Sequence, residues 1–437
     1  MKNLPVLLGI IALMNTKVNA QETPSNEELL KRIEALEAEN KKATEWGATP
    51  YGWVRTDYIF DSRQSAYVRE YNLNLYPLDK KPGTDGKDIN ASGASNFLAI
   101  TSRVGMKLRG PNVWGAKISG VIEGDFFGNT EINKSSAGTG SMGLFRLRHA
   151  IATLDWGKTA LTFGQTWYPA FITDVYPGVA NFNTGIMFNP FGWAGQIKLV
   201  QKLTPELSFS VVAYKDREFQ TGTASGGSVN SATFNSTMPA LHGQLQYKSK
   251  NITAGIAAEY QSLKPVIESN GMKSNEKVNS ADFLAYFKYS DEKIIAKAYG
   301  ITGGNLYHFV MLGGFAGYTE ANGQESYKPV KTTAAWVDIA SNHAKVAPGI
   351  FFGYTQNNGT DAGFANLYMR GISGTRVLDN VWRASARVEC KQNKFNISPE
   401  LEYTAARWAD TSTEANAGGN ASSVGNFRAM VRVMYSF

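Results

Sequence analysis

Arginine recurs in this chain at the positions where strand periodicity would gather it on one surface. In the closing segment, Phe427, Ala429, Val431, Val433, Tyr435 and Phe437 share one parity, and Arg428, Met430, Arg432, Met434 and Ser436 the other. Side chains alternate across a strand, so this segment has one apolar and one cationic face. Leu98, Ile100, Val104, Met106 and Leu108 phase another segment and set Arg103 and Lys107 opposite. Trp114, Ala116, Ile118, Ile122 and Phe126 oppose Lys117, Glu123 and Asp125. Phe145, Leu147 and Ile151 oppose Arg146 and Arg148, while Trp382, Ala384 and Val388 oppose Arg383, Arg387 and Glu389. The first strand adds Arg55 and Asp57. A guanidinium stays charged and grips carboxylate or phosphate through two parallel bonds, so the chemistry implied is attraction of anions. A second reading pairs these cations with Glu123, Asp125, Glu389, Glu400 and Glu402 as wall filling, and both can hold.

Bond-making chemistry has little to stand on. Cys390 is the only cysteine, which excludes an intramolecular disulfide, and its parity with Trp382 and Val388 aims it at the apolar side. His149, His242, His308 and His343 lie apart, without metal-ligand spacing, so no metal, cofactor or catalytic residue is assigned. His149 interrupts the phase of its strand by sitting with Phe145 and Leu147, which predicts a subunit interface or the interfacial zone. An outer-membrane hydrolase would need Ser/His or Asp/His neighbours that these histidines lack.

The elements that must carry the arginines read as sixteen strands from residue 51 to 437. Long and short connections alternate strictly. The short ones contain Gly110-Pro111, Gly157, Thr204-Pro205, Lys250-Asn251, Asp291-Glu292, Asn342-His343 and Gln392-Asn393. The long ones span 62–96, 128–143, 167–192, 217–239, 263–279, 303–331, 357–375 and 408–425. Such alternation, with apolar and polar faces, specifies an all-β, 16-stranded antiparallel transmembrane β-barrel. Leu306–Phe315 also reads as strand, which would make eighteen. In the closed barrel the arginine-bearing strands lie near one another and form a ladder down one wall, the means by which a pore attracts anions.

The loop 167–192 is apolar, with Trp167, Tyr168, Phe171, Tyr176, Phe182 and Phe188 and the single charge Asp174. It is expected to fold inward as a constriction loop. The first loop, 62–96, carries Lys80-Lys81-Pro82-Gly83 and reads as solvated.

Residues 1–20 read as a signal peptide, with Lys2 ahead of the apolar run Leu4 to Met14 and small residues at Val18-Asn19-Ala20. Residues 21–46 form a short N-terminal periplasmic coiled-coil helix, with a seam of Leu29, Ile33, Leu36 and Asn40 and a capping box from Ser25 to Glu28. Residues 47–437 are the barrel. The chain carries +7 overall, and +8 falls on the barrel once leader and helix are set aside. The expected partners are small anionic solutes, lipopolysaccharide and outer-membrane lipid. No nucleic-acid motif accompanies the charge. A surface adhesin whose loops bind carbohydrate is the alternative function.

Four stretches, Thr101-Ser-Arg-Val-Gly105, Ile122-Glu-Gly-Asp-Phe126, Phe145-Arg-Leu-Arg-His-Ala150 and Gly164-Gln-Thr-Trp167, resemble the DcaP-like porins in kind and order. The match covers the helix and the first half of the barrel; the second half matches as generic barrel strands. The resemblance implies a homotrimer of sixteen-stranded barrels with a periplasmic coiled coil. It also implies uptake of dicarboxylates or related organic anions, and a lumen role for Arg103, Arg146 and Arg148.

Overall fold

The computed structural model describes residues 27–28, 30–35, 37, 46–68, 72–128, 143–217, 222–227 and 231–437. The expected leader 1–20 lies outside them, as do Leu29, Leu36 and Asn40 of the expected seam. The described residues of 27–37 are helical, with i,i+4 ion pairs Glu27–Lys31 at 3.3 Å and Glu28–Arg32 at 2.9 Å. Ile33 is exposed there.

The second unit, from Trp46 onward, is a closed antiparallel barrel of sixteen wall strands. They are β1 (Gly47–Asp61), β2 (Ala94–Leu98 with Arg103–Val113), β3 (Ala116–Asp125), β4 (Arg146–Asp155), β5 (Thr159–Trp167), β6 (Trp193–Lys202), β7 (Leu207–Asp216) and β8 (Ala240–Lys248). There follow β9 (Ile252–Leu263), β10 (Val278–Ser290), β11 (Ile294–Gly304), β12 (Glu325–Ser341), β13 (Val346–Gly359), β14 (Arg376–Gln392), β15 (Phe395–Asp410) and β16 (Ser422–Ser436). Each pairs with its sequence neighbours, and β16 pairs with β1 from Trp53↔Ser436 to Asp61↔Arg428, which leaves no free edge.

The alternation dictates the wall. In β10, Asn279, Ala281, Phe283, Ala285 and Phe287 are exposed while Ser280, Asp282, Leu284 and Tyr286 are buried. The same holds around the barrel, with Val54, Val104, Ile122, Phe163, Ile197, Ile256, Ile350 and Leu401 exposed. A water-facing surface does not carry so continuous an apolar band, whereas a lipid-facing one must. Trp114 and Trp156 sit at the short turns, joined by a hydrogen bond from Trp156 Nε1 to the Trp114 carbonyl at 2.9 Å, as an aromatic girdle would place them. Gly157 takes φ 88° in its turn, and Asn393 takes φ 54°, conformations that suit these two residue types.

Three expectations about phase are corrected. Leu98 and Ile100 are buried on the lumen side, because β2 breaks at 99–102 and Ser102 N closes a turn on the Ala99 carbonyl at 3.0 Å. Leu98 stands opposite Asp57, and the turn resets the parity so that Arg103 still faces inward, opposite Trp53. His149 also points into the lumen. A β-bulge pairs Glu123 with His149 and Gly124 with Leu147, leaving Arg148 as the extra residue. Two consecutive side chains then share the inner face, which is what a bulge does. Beyond it Ile151 faces inward, opposite Val121.

The loops fill the barrel. Segment 167–192 runs inward, where the Ala180 carbonyl accepts from Arg55 and the Ala170 carbonyl from Tyr299. The first loop departs from its solvated reading: its hairpin Ser65–Val68/Leu73–Pro77 buries Leu73, Asn74, Leu75 and Tyr76 completely or nearly so, although Lys80 and Lys81 are exposed. Leu306–Phe309 is a single 3₁₀ turn, followed by buried Val310, Met311 and Leu312. Gly313–Thr319 is a strand, but it pairs with the extension Glu325–Val330 of β12 and with Asn366–Arg370, outside the wall where β11 pairs β12 directly. The barrel therefore keeps sixteen strands.

Candidate functional site: the lumen and its constriction

The wall places Arg55, Arg103, Lys107, Lys117, Arg146, Arg148, Arg383, Arg387, Arg428 and Arg432 on the inner face, with Asp57, Glu123, Asp125 and Glu389 among them. Their geometry falls into groups.

The first gathers on β1 to β4. Arg146 Nε donates to Asp125 at 2.7 Å, and Arg148 donates to both Glu123 at 2.7 Å and Asp125 at 2.9 Å. Arg103 Nε lies 3.4 Å from Glu123 and its guanidinium sits 3.8 Å from the centre of the Trp53 ring. The Tyr51 hydroxyl donates to Glu123 at 2.8 Å, and His149 Nε2 is 3.6 Å from the same carboxylate. Arg146 and Arg148 both lie 4.4 Å above Trp193. Three guanidiniums thus face two carboxylates in a dry setting where charge is strongly felt. Lys107 is exposed and lies over Tyr51 at 5.3 Å, and Lys117 stands opposite Asp155.

The second group ties the inward loops to the wall. Arg55 binds Asp57 at 2.9 Å and donates to the Ala180 carbonyl at 2.9 Å. Arg383, 1% exposed, donates to Thr404 at 2.8 Å, to the carbonyls of Asn74 and Leu75 at 3.1 Å, and to that of Ile186 at 3.4 Å. Its charge is met by Glu402 at 3.3 Å. Arg428 grips Asp61 and donates to the Asn74 side chain at 2.9 Å. Asn74 accepts from Asn181 and Asn183 as well, so both loops meet at one amide. Glu400 accepts from the backbone of Ala180 and Asn181. Further along, Arg387 holds Asp338 with two bonds at 2.8 and 3.1 Å, and Arg432 holds Glu389 at 2.6 Å, which Lys391 also contacts.

Two readings of the arginines therefore coexist. They line one wall, yet nearly all are buried and paired, and several act as loop anchors. A buried guanidinium needs such partners, since desolvation otherwise exceeds its gain.

The inward loop 167–192 is held by its aromatics. Trp167 stacks on Phe171 at 4.1 Å and on Trp193 at 4.2 Å, and Phe171 on Tyr176 at 5.5 Å. Tyr168 packs edge-on against Tyr214, His308 and Phe309. Phe182 meets Phe127 at 5.0 Å, and Phe188 meets Phe351 at 6.1 Å. Each fully buried phenylalanine contributes roughly 1.5–3 kcal/mol, enough to fix the loop's path. Asp174 is bound by Lys248 at 2.6 Å.

Sequence reasoning missed Asp61, Asp338, Asn74 and the anchor Arg370, which donates to the carbonyls of Tyr307 and Met311 at 2.9 and 2.7 Å. It also missed the cluster of Tyr214, His242, Glu259 and His308 on the other wall, where His242 lies 3.2 Å and His308 3.5 Å from Glu259. Phasing β8 to β12 by their exposed aromatics would have turned His242, Glu259, Asp282 and Asp338 inward.

No protein-family model matches the chain, and no curated protein does. Among solved structures, the chain is similar to an anion-selective porin from Comamonas acidovorans, at TM-score 0.52 and 12% identity, covering 90% of this chain and 100% of that one. It is also similar to OmpF of Salmonella typhi, solved with daunomycin, at TM-score 0.51 and 13% identity, covering 91% of this chain and 99% of the other. At these identities the likeness shows a shared fold: the barrel is of the porin type.

Proposed function

We propose that this protein is an outer-membrane porin for passive diffusion of small, preferentially anionic solutes such as dicarboxylates. The observation that carries the reading is the group on β1 to β4, where Arg103, Arg146 and Arg148 outnumber Glu123 and Asp125 beside the constriction loop. A fixed positive excess on the low-dielectric wall of a lumen concentrates anions and repels cations. The apolar outer band supports residence in a bilayer, and the porin-type fold supports a channel. The inward segments 72–77, 167–192 and 305–312 narrow the path, so the solutes are small. No chemical step is needed.

In this reading residues 1–20 direct export, residues 21–46 form the periplasmic coiled coil, and three copies assemble with lipopolysaccharide and lipid around them. Liposomes carrying the purified protein test the reading. They should swell faster in isotonic succinate than in a neutral or cationic solute of equal size. Swelling no faster than that of empty liposomes, for every solute, would refute it.

A further inference from the structure

The part of the lumen under the tip of the constriction loop carries cations that the arginine network does not use. Lys288 on β10 stands directly opposite Lys297 on β11, and both face inward, half-buried, near the short turn at Asp291-Glu292. Like charges at directly opposite positions repel, so such a pair is unfavourable unless something negative lies between or beside them. The next residue in the row is Asp338 on β12, opposite Lys297. Both of its oxygens are already taken by Arg387. Glu389 is held by Arg432 and Lys391, and Asp174 by Lys248. Among the described residues, Asp338 is the carboxylate in register with Lys297, and Glu389 adds a further negative charge that Arg432 and Lys391 already share.

The loop tip lies along this row. Lys297 Nζ donates to the Tyr176 carbonyl at 2.9 Å and sits 5.2 Å from the centre of its ring. Gly178 comes so close to Arg387 and Asp338 that a Cβ there would fall 2.5 Å from Arg387 Nη2, so the backbone itself covers that pair. An ammonium is a compact charge with several donors on a flexible stem, suited to a mobile ligand that must bind and leave.

We infer that Lys288 and Lys297, with Arg387 behind them, form an anion subsite beneath the loop tip, taking one carboxylate of a small organic acid as it passes the constriction. The inference rests on the porin reading and adds to it where the solute is held. Arg55, Arg383 and Arg428 then hold the loops, and these lysines meet the solute.

The test is block of single-channel current by succinate in planar bilayers, with the full-length protein. Among the described residues no hydrogen bond or ion pair joins Lys288 to the loop, whereas Lys297 donates to Tyr176, so Lys288→Gln leaves the loop's anchors in place. Its succinate dissociation constant should rise about tenfold, the equivalent of one charge-assisted hydrogen bond. Lys288→Arg should restore block to within about twofold, and Lys288→Gln combined with Lys297→Gln should weaken it further. Unchanged block in the single and double glutamine variants would overturn the subsite, as would equal loss in Lys288→Arg, which would mark a packing effect. Those outcomes leave the porin reading standing. A wild-type protein that conducts no ions would remove both.

Discussion

Arg428 and Asp61 face each other across the seam where the last strand closes on the first, with Nε and Nη2 of the arginine 2.8 and 2.7 Å from the two carboxylate oxygens. The same arginine reaches Asn74 of the first loop, so one side chain joins barrel closure to lumen filling. Asp61→Asn would leave a buried guanidinium without its counter-charge. Breaking one partner of a buried pair costs about 3–5 kcal/mol. Thermal unfolding in detergent should therefore show a clearly lower midpoint for Asp61→Asn. A midpoint equal to wild type would mean that the seam does not depend on this pair.

Arg383 should control the width of the path. It bonds to the carbonyls of Asn74, Leu75 and Ile186, and so holds two inward segments at once. Arg383→Ala releases both, and single-channel conductance should rise on the order of twofold while fluctuating more. Lysine cannot reproduce several bonds from one planar group, so Arg383→Lys should also be wider than wild type. Conductance unchanged in both variants would show that the loops are held by their aromatics alone.

The selectivity of the first group can be read separately. Arg146→Ala with Arg148→Ala leaves Glu123 and Asp125 facing Arg103 alone, which turns a positive excess into a negative one. The reversal potential in a salt gradient should shift toward cations. No shift would assign selectivity elsewhere, for instance to the lysines under the loop tip.

Loop 305–312 should respond to pH through His308. Burial alone would lower its pKa below the ordinary 6.5, but Asp216 and Glu259 outweigh burial and raise it. A raised pKa means the charged form favours the folded arrangement. Its contribution is complete below pH 6.5 and is lost as pH climbs through the raised value. Hydrogen exchange at 305–312 should be slow in mild acid and faster at alkaline pH, with the difference abolished in His308→Gln. Exchange that slows with rising pH, after correction for intrinsic rates, would contradict the sign.

Much of this was legible from one strand at a time. The inner placement of Arg428, Arg432, Arg383 and Arg387 follows from parity, and the count of sixteen follows from alternating connections. What escaped were places where local geometry resets parity. Nothing in Arg148-His149 announces a bulge except the broken phase itself, which can equally mark an outward histidine at an interface. Leu98 and Ile100 continue an apolar period across a turn that reverses their sense. The hairpin Leu73–Pro77 looked solvated because its composition is mixed. Its burial depends on partners such as Arg383 and Glu402, more than three hundred residues away. Pairings of that kind belong to closure of the barrel and leave no local mark.

The central claim is a channel that prefers anions, and reversal potential in a potassium chloride gradient tests it most directly. Wild-type protein in a planar bilayer should give a potential of the sign set by chloride. A potential set by potassium would contradict the account, and so would the absence of any conductance.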